Sequence, residues 1–109
     1  MEKLYCGHVT EQYVNKEVNI KGWVKKIRKM GSITFLDIAD RYGLVQVIAD
    51  ETIKIDGLTR ESVVDVTGTV VLRKTPNDKL ATGKIEIKCK ALEILSLAKT
   101  TPMIVEDVT

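Results

Sequence analysis

The stretch SITFLDIADRYGLVQVIA, residues 32–49, carries the clearest secondary-structure signal in the sequence. Apolar and polar residues alternate on both sides of a short polar break, a pattern typical of two half-buried strands. The break, Asp40–Gly43, ends in a glycine, which supplies the unusual dihedral angles of a tight turn. We therefore predict a β-hairpin with strands at Ser32–Ala39 and Leu44–Ala49.

The same alternation predicts three more strands outside this hairpin. One precedes it, over about Glu17–Met30, and two follow it, over Val63–Lys74 and Lys84–Leu95. A turn cluster at Thr75–Asp78 separates the last two strands. The sequence is thus expected to be all-β.

Two short helical pieces are also expected. A helix at Leu58–Ser62 would lie between the third and fourth strands, capped by Asp56 or Thr59, and a helical turn is expected near Thr10–Tyr13. Five strands with a helix between the third and fourth follow the element order of the OB-fold, a partly open five-stranded Greek-key barrel. The length of 109 residues fits one such domain.

Successive residues of a strand point to opposite faces, so the alternation sorts the side chains into an inner and an outer set. On the outer face we expect Phe35, Gln46, Arg73 and Glu86. The inner set is expected to be Leu36, Ile38, Val45, Val47, Val64, Val66, Val70, Leu72, Ile85, Ile87 and Cys89.

The first strand changes phase near its middle. Its apolar residues up to Val24 share one face, but Ile27 lies three residues further on. A β-bulge at Lys25–Lys26 accounts for this change and turns Arg28 outward. Trp23 is expected to pack under the N-terminal segment.

The net charge of +2 is too small to indicate a partner, but the charges are unevenly distributed. Between Lys21 and Lys29 there are five positive residues and no acid. The stretch from Arg73 to Lys90 holds six positive residues and two acids. Brought together by the fold, these two stretches would form a face attractive to phosphate.

Phe35 is the only phenylalanine, and we expect it outside the barrel among polar residues. Either the loop after the fourth strand or a neighbouring domain covers it, or it stacks on an unpaired base, an interaction worth about 1–3 kcal/mol. Gln46 beside it could read a base edge, although a glutamine on an outer face is by default only solvated. Glu86 either forms an ion pair with Lys84 or Lys88 or accepts hydrogen bonds from guanine.

Signatures of catalysis, metal binding and membrane insertion are missing from the sequence. The single histidine, His8, leaves no catalytic Ser–His–Asp or Cys–His pair and too few zinc ligands, and no glycine-rich phosphate loop occurs. Cys6 and Cys89 are expected to be reduced thiols. With no signal-peptide pattern and no long apolar run, we expect a soluble, cytoplasmic binding domain.

Short motifs follow one another over nearly the whole chain: Tyr5-Cys6-Gly7, Gly22-Trp23-Val24, Gly31-x-x-x-Phe35-x-Asp37, Asp40-Arg41-x-Gly43-x-Val45-Gln46-Val47, Val66-x-Gly68-x-Val70, Thr82-Gly83-x-Ile85-Glu86 and Leu92-Glu93-Ile94-Leu95. Together they resemble the N-terminal anticodon-binding domain of bacterial-type aspartyl-tRNA synthetases, which are class II enzymes of subclass b.

This resemblance implies an OB-fold that binds the GUC-type anticodon of aspartate tRNA. By motif position, Phe35 would stack on the central uracil, Gln46 would hydrogen-bond its edge, and Glu86 would read the first base, a guanine. The remaining members of the implied anticodon-binding set are Arg28, Arg73 and Asn77.

The resemblance also implies a domain layout. Residues 1–16 would form an N-terminal extension, about 17–97 the barrel, and 98–109 the start of a linker to a catalytic domain outside this chain. ATP and Mg²⁺ would belong to that domain, so the chain alone would be inactive and need no cofactor. The domain is expected to be monomeric and the parent enzyme a homodimer.

Three alternative functions remain open at this point. Asparaginyl- and lysyl-tRNA synthetases use a related domain, although the Thr-Gly-x-Ile-Glu and Tyr-Cys-Gly motifs favour aspartate. A nonspecific single-strand-binding OB protein would be expected to present several aromatic residues on its outer face. A protein-interaction domain would bind no RNA.

Overall fold

The computed structural model describes residues 2–53, 55, 58–74 and 83–96 of the chain. Within them the strands are β1 (Glu2–Lys3), β2 (Glu17–Met30), β3 (Ile33–Asp40), β4 (Gly43–Ala49), β5 (Val63–Leu72) and β6 (Ile85–Ser96). The five predicted strands are confirmed, with ends shifted by at most two residues. The two-residue β1, which the alternation did not predict, pairs parallel with β2.

The five long strands close into a barrel because β2 pairs with two different neighbours. Its first half, Glu17–Trp23, runs antiparallel to β5, and its second half runs antiparallel to β3. The β3–β4 hairpin, an antiparallel β5–β6 pair and a parallel β4–β6 contact complete the ring. The β2–β3 register shifts between Val24 and Lys26, which confirms the predicted bulge. The predicted OB-fold is also confirmed.

The barrel interior contains the alternating apolar residues, and the predicted inner set is confirmed at every position except one. Leu36, Ile38 and Ile87 are fully buried there. Leu72 was predicted to point inward, but it is 59% exposed. It is the last residue of β5 and lies beyond Val70, the last buried position on that face of the strand.

The predicted helix at Leu58–Ser62 is wrong, because these residues form a turn. Glu61 adopts a positive φ of 74°, which ends any right-handed helix. Its N–H donates to the Val24 carbonyl at 2.6 Å, and the Val24 N–H donates to Ser62 at 2.8 Å. These bonds to β2 replace those of a helix. Of the two predicted cap residues, Thr59 donates its backbone N–H to Ser62 Oγ at 3.1 Å. The other, Asp56, lies outside the described residues.

The N-terminal segment contains two 3₁₀ helices, Cys6–His8 and Glu11–Tyr13, and the second confirms the predicted helical turn. The Cys6 N–H donates to Asp40 Oδ2 at 2.7 Å, which joins this segment to the end of β3. Both cysteines are free, as predicted, and burial raises the pKa of the Cys6 thiol to about 12.

Among the described residues, none forms a helix that is long and apolar enough to cross a membrane.

We expect Gly68→Ala to destabilise the barrel. A Cβ at this position would lie 2.3 Å from the carbonyl oxygen of Lys88 and 2.8 Å from Ile87 Cγ2, so β6 would have to move away. Overpacking of this kind costs about 1–3 kcal/mol of the free energy of unfolding, measurable by urea titration. Thr69→Ala in the same strand is the matched control. An equal, small effect of both substitutions would contradict the close approach.

Candidate nucleic-acid interface

An open groove of about 360 Å³ lies on the outside of the barrel. It brings together five of the six predicted site residues, and the sixth, Asn77, lies outside the described residues. The residues that line the groove are Arg28, Met30, Ile33, Phe35, Gln46, Ile48, Arg73, Lys74 and Glu86. The turn predicted at Thr75–Asp78 and the linker predicted at 98–109 also lie outside the described residues.

Strand register explains why residues so distant in sequence meet here. Arg28 pairs with Phe35 across β2–β3, and Phe35 pairs with Ile48 across β3–β4. In the parallel β4–β6 contact, Val47 pairs with Ile87. The residues immediately before them, Gln46 and Glu86, therefore lie side by side on the outer face. The closure of the barrel therefore assembles the groove from residues that are far apart in the sequence.

Three polar side chains form a continuous hydrogen-bonded row across the groove. Arg28 Nη2 donates to Gln46 Oε1 at 3.3 Å, and Gln46 Nε2 donates to Glu86 Oε1 at 2.8 Å. Gln46 is only 5% exposed. It points away from the barrel interior, as predicted, but its neighbours cover it, so it is not the solvated glutamine that an outer-face position suggests by default.

Glu86 forms no ion pair with Lys84 or Lys88, both of which the structure describes, so that one of its two predicted roles is wrong. The Lys84 ammonium lies 3.7 Å from a carboxylate oxygen of Glu11 instead. Glu86 instead accepts a hydrogen bond from Gln46 Nε2. Its carboxylate therefore faces the groove with acceptor capacity remaining, because a carboxylate offers about four lone-pair sites.

Phe35 is half-buried, and the Arg28 guanidinium lies 5.3 Å from the centre of its ring. This distance is within the range of a cation–π interaction. The arginine therefore contacts both the aromatic ring and the Gln46 amide. An unpaired base entering the groove would meet a flat ring, a cation and an amide at one place.

The groove has a positive rim. Arg28 comes from the first basic stretch of the sequence, and Arg73 and Lys74 come from the second, so the fold brings the two stretches together. The Arg73 N–H donates to the Lys84 carbonyl at 3.0 Å, which holds the end of β5 against β6. Three cations beside one carboxylate favour a polyanionic ligand.

The predicted site residues did not include the apolar part of this lining, Met30, Ile33 and Ile48, or Lys74. Met30 is 60% exposed and Ile33 is 38% exposed, although both are large and apolar. Ile33 and Ile48 lie two residues from Phe35 and Gln46 in their strands, so strand parity could have assigned them to the groove. These side chains give the groove an apolar surface beside the Phe35 ring.

Fold and groove together define a nucleic-acid-binding module of the OB type: a closed barrel with an aromatic ring, a glutamine amide and a cationic rim on its outer face. Residues 18–95 match the family model of the OB-fold nucleic acid binding domain of the tRNA anti-codon type. The chain belongs to this family.

Two relatives with similar sequences are aspartate–tRNA ligases. The chain is 47% identical to the aspartate–tRNA ligase of Ureaplasma parvum over 98% of its own length, and 46% identical to that of Lactococcus lactis over 94%. It spans only 19% of the length of either relative. Among solved structures, asparaginyl-tRNA synthetase from Pyrococcus horikoshii, complexed with asparaginyl-adenylate, is similar with a TM-score of 0.74 and 28% identity, over 94% of this chain and 24% of that one.

Proposed function

We propose that this chain is the anticodon-binding domain of an aspartate–tRNA ligase and recognises the GUC-type anticodon of aspartate tRNA. The observation that carries the proposal is the row formed by Arg28, Gln46 and Glu86 beside the Phe35 ring. It combines a stacking surface with groups that read base edges, which is how proteins recognise unpaired RNA bases. The identity of 47% to an aspartate–tRNA ligase supports the choice of tRNA.

In this proposal, the central uracil stacks on Phe35 and forms hydrogen bonds with the Gln46 amide. Glu86 accepts hydrogen bonds from the N–H groups of guanine, the first anticodon base. Arg28 contacts the bases or the backbone, and Arg73 contributes to the site at the end of β5. Asn77 belongs to the same set by motif position. The cationic rim binds the phosphates, a contribution that weakens as salt increases.

The ligase reaction itself belongs, in this proposal, to the longer protein. Aspartate would be attached to its tRNA with ATP and Mg²⁺ in a catalytic domain outside these 109 residues. The described residues contain no group of three or more histidine, cysteine, aspartate or glutamate side chains that could hold a metal ion.

A test of the proposal compares two labelled anticodon stem-loops at one fixed salt concentration. One carries GUC, and in the other the central uracil is replaced by cytosine. We expect the domain to prefer uracil by about 1–3 kcal/mol, because a good base-edge contact provides that much discrimination. Gln46→Ala should abolish this preference. Gln12→Ala is the matched control, since Gln12 is exposed on the second 3₁₀ helix and does not line the groove.

The possible results separate the competing functions. Equal binding of both stem-loops would contradict anticodon reading and indicate a nonspecific RNA-binding barrel. Binding of neither would point to a protein partner. A preference for uracil that persists in Gln46→Ala would leave the domain an anticodon reader but assign the reading to another residue.

A further inference from the structure

Distinguishing uracil from cytosine by a glutamine amide poses a chemical problem. Uracil presents the N3–H donor beside the O4 acceptor. Cytosine presents the N3 acceptor beside the donor of its N4 amino group. A glutamine amide has an acceptor oxygen and a donor NH₂ of nearly the same shape. Rotated by 180°, the amide that pairs with uracil pairs equally well with cytosine. Selection of uracil therefore requires an amide held in one orientation.

The groove contains the two neighbours needed to hold that orientation. The Arg28 guanidinium can only donate hydrogen bonds, and it lies 3.3 Å from Gln46 Oε1. The ionised Glu86 carboxylate can only accept them, and it lies 2.8 Å from Gln46 Nε2. A flipped amide would set oxygen against oxygen at Glu86 and nitrogen against nitrogen at Arg28. Since Gln46 is 5% exposed, water has little access to replace the lost bonds.

We propose that Glu86 is a positioning residue for Gln46 and thereby sets the preference for uracil over cytosine at the central anticodon position. This inference rests on the function proposed above and extends it, because Glu86 then acts at two bases. It contacts the first base directly and the second through the Gln46 amide. Arg28 holds the opposite side of the same amide.

The row leaves enough hydrogen-bonding capacity for the RNA. Gln46 Nε2 keeps a second hydrogen, and its Oε1 keeps a second lone pair, so each atom can bind the uracil edge while it holds its protein partner. The Glu86 carboxylate can accept from Gln46 and from guanine at once. Reading of the first base and reading of the second are therefore coupled through one carboxylate.

The test is Glu86→Gln, measured with the GUC and GCC stem-loops so that guanine remains at the first position in both. A neutral amide at position 86 can donate or accept, so only the 3.3 Å hydrogen bond from Arg28 still favours one orientation of Gln46. We expect the ratio of affinities for the two stem-loops to fall about fivefold or more, which is a large part of the discrimination that one base-edge contact provides. Both RNAs carry the same charge, so the general gain in affinity from removing a negative charge cancels in the ratio.

Glu93→Gln is the matched control, because it removes the same charge from an exposed position of β6 that does not line the groove. The double variant Glu86→Gln with Gln46→Ala should have the same affinity ratio as Gln46→Ala alone, without a shift toward either stem-loop, since Glu86 acts on the central base only through Gln46. Independent losses from the two substitutions would contradict the positioning role.

A second readout does not depend on RNA. In the free domain, hydrogen exchange of the Gln46 side-chain NH₂, followed by NMR, should be faster in Glu86→Gln than in the native protein or in Glu93→Gln. The backbone spectrum shows at the same time that the variant is folded. Glu86→Asp, which keeps the acceptor on a shorter side chain, should restore part of the uracil preference.

The outcomes distinguish this inference from the function on which it rests. A native domain that binds both stem-loops equally contradicts the proposed function, and the inference falls with it. A native domain that prefers uracil, with an undiminished ratio and unchanged NH₂ exchange in Glu86→Gln, overturns the positioning role alone. A reduced ratio together with faster exchange supports both.

Discussion

Replacing Phe35 by alanine is expected to weaken binding of the GUC stem-loop by about 1–3 kcal/mol, roughly five- to 150-fold, because stacking on an aromatic ring contributes that much per base. The ring lies half-exposed at the groove with Arg28 5.3 Å from its centre. Its removal takes away the flat surface for the base and one partner of the arginine. Fluorescence anisotropy titrations at a fixed salt concentration measure the loss.

Two further variants separate stacking on a base from a merely apolar role of Phe35. Phe35→Leu keeps an apolar side chain over the strands but removes the aromatic face, so it should lose most of the affinity that Phe35→Ala loses. Tyr42→Ala is the control for loss of an aromatic residue, because Tyr42 is 46% exposed at the β3–β4 turn and does not line the groove. Full affinity in Phe35→Leu would contradict stacking and favour the alternative considered above, that the loop after β5 or a neighbouring domain covers Phe35.

Leu36→Ala is expected to lower the free energy of unfolding by about 2–5 kcal/mol, the usual cost of truncating a fully buried leucine. Leu36 follows Phe35 in β3 but points into the barrel, where its side chain is fully buried. It pairs with Ile27 on one side and Val47 on the other, so the cavity would open between three strands. A small domain has a total stability of about 5–15 kcal/mol, so this loss is a large share of it.

Urea titrations of Leu36→Ala and Phe35→Ala, followed by circular dichroism, test this contrast between adjacent positions. We expect the larger loss of stability in Leu36→Ala and the larger loss of RNA affinity, per folded molecule, in Phe35→Ala. The reverse order of stabilities would contradict the assignment of Leu36 to the interior and Phe35 to the groove.

Much of the fold could be predicted because the deciding signals are local. The alternation in residues 32–49 identified the hairpin, and the same period identified the other three long strands. The misplaced apolar residue Ile27 revealed the bulge that turns Arg28 outward. In a half-buried strand every second side chain points to the buried face, so the pattern of apolar residues alone was sufficient to identify the strands and their buried faces.

The errors arose where distant parts of the chain compete with local preference. Residues 58–62 favour a helical turn by themselves, but Glu61 and Ser62 bond to Val24 of β2, so they cannot continue a helix. Leu72 fits the inward alternation of β5, but it lies where the strand ends and the barrel no longer covers it. In both cases the deciding partner is far away in sequence.

For the candidate site, the sequence by itself determined which residue types face outward, including Phe35, Gln46 and Glu86. Only the tertiary structure decided that Gln46 is covered and held between Arg28 and Glu86. Parity is a property of each strand alone, since side chains alternate with a period of two along the backbone. The contacts between these residues depend on the register of β2, β3, β4 and β6 around the closed barrel, and that register is set by the packing of the whole core.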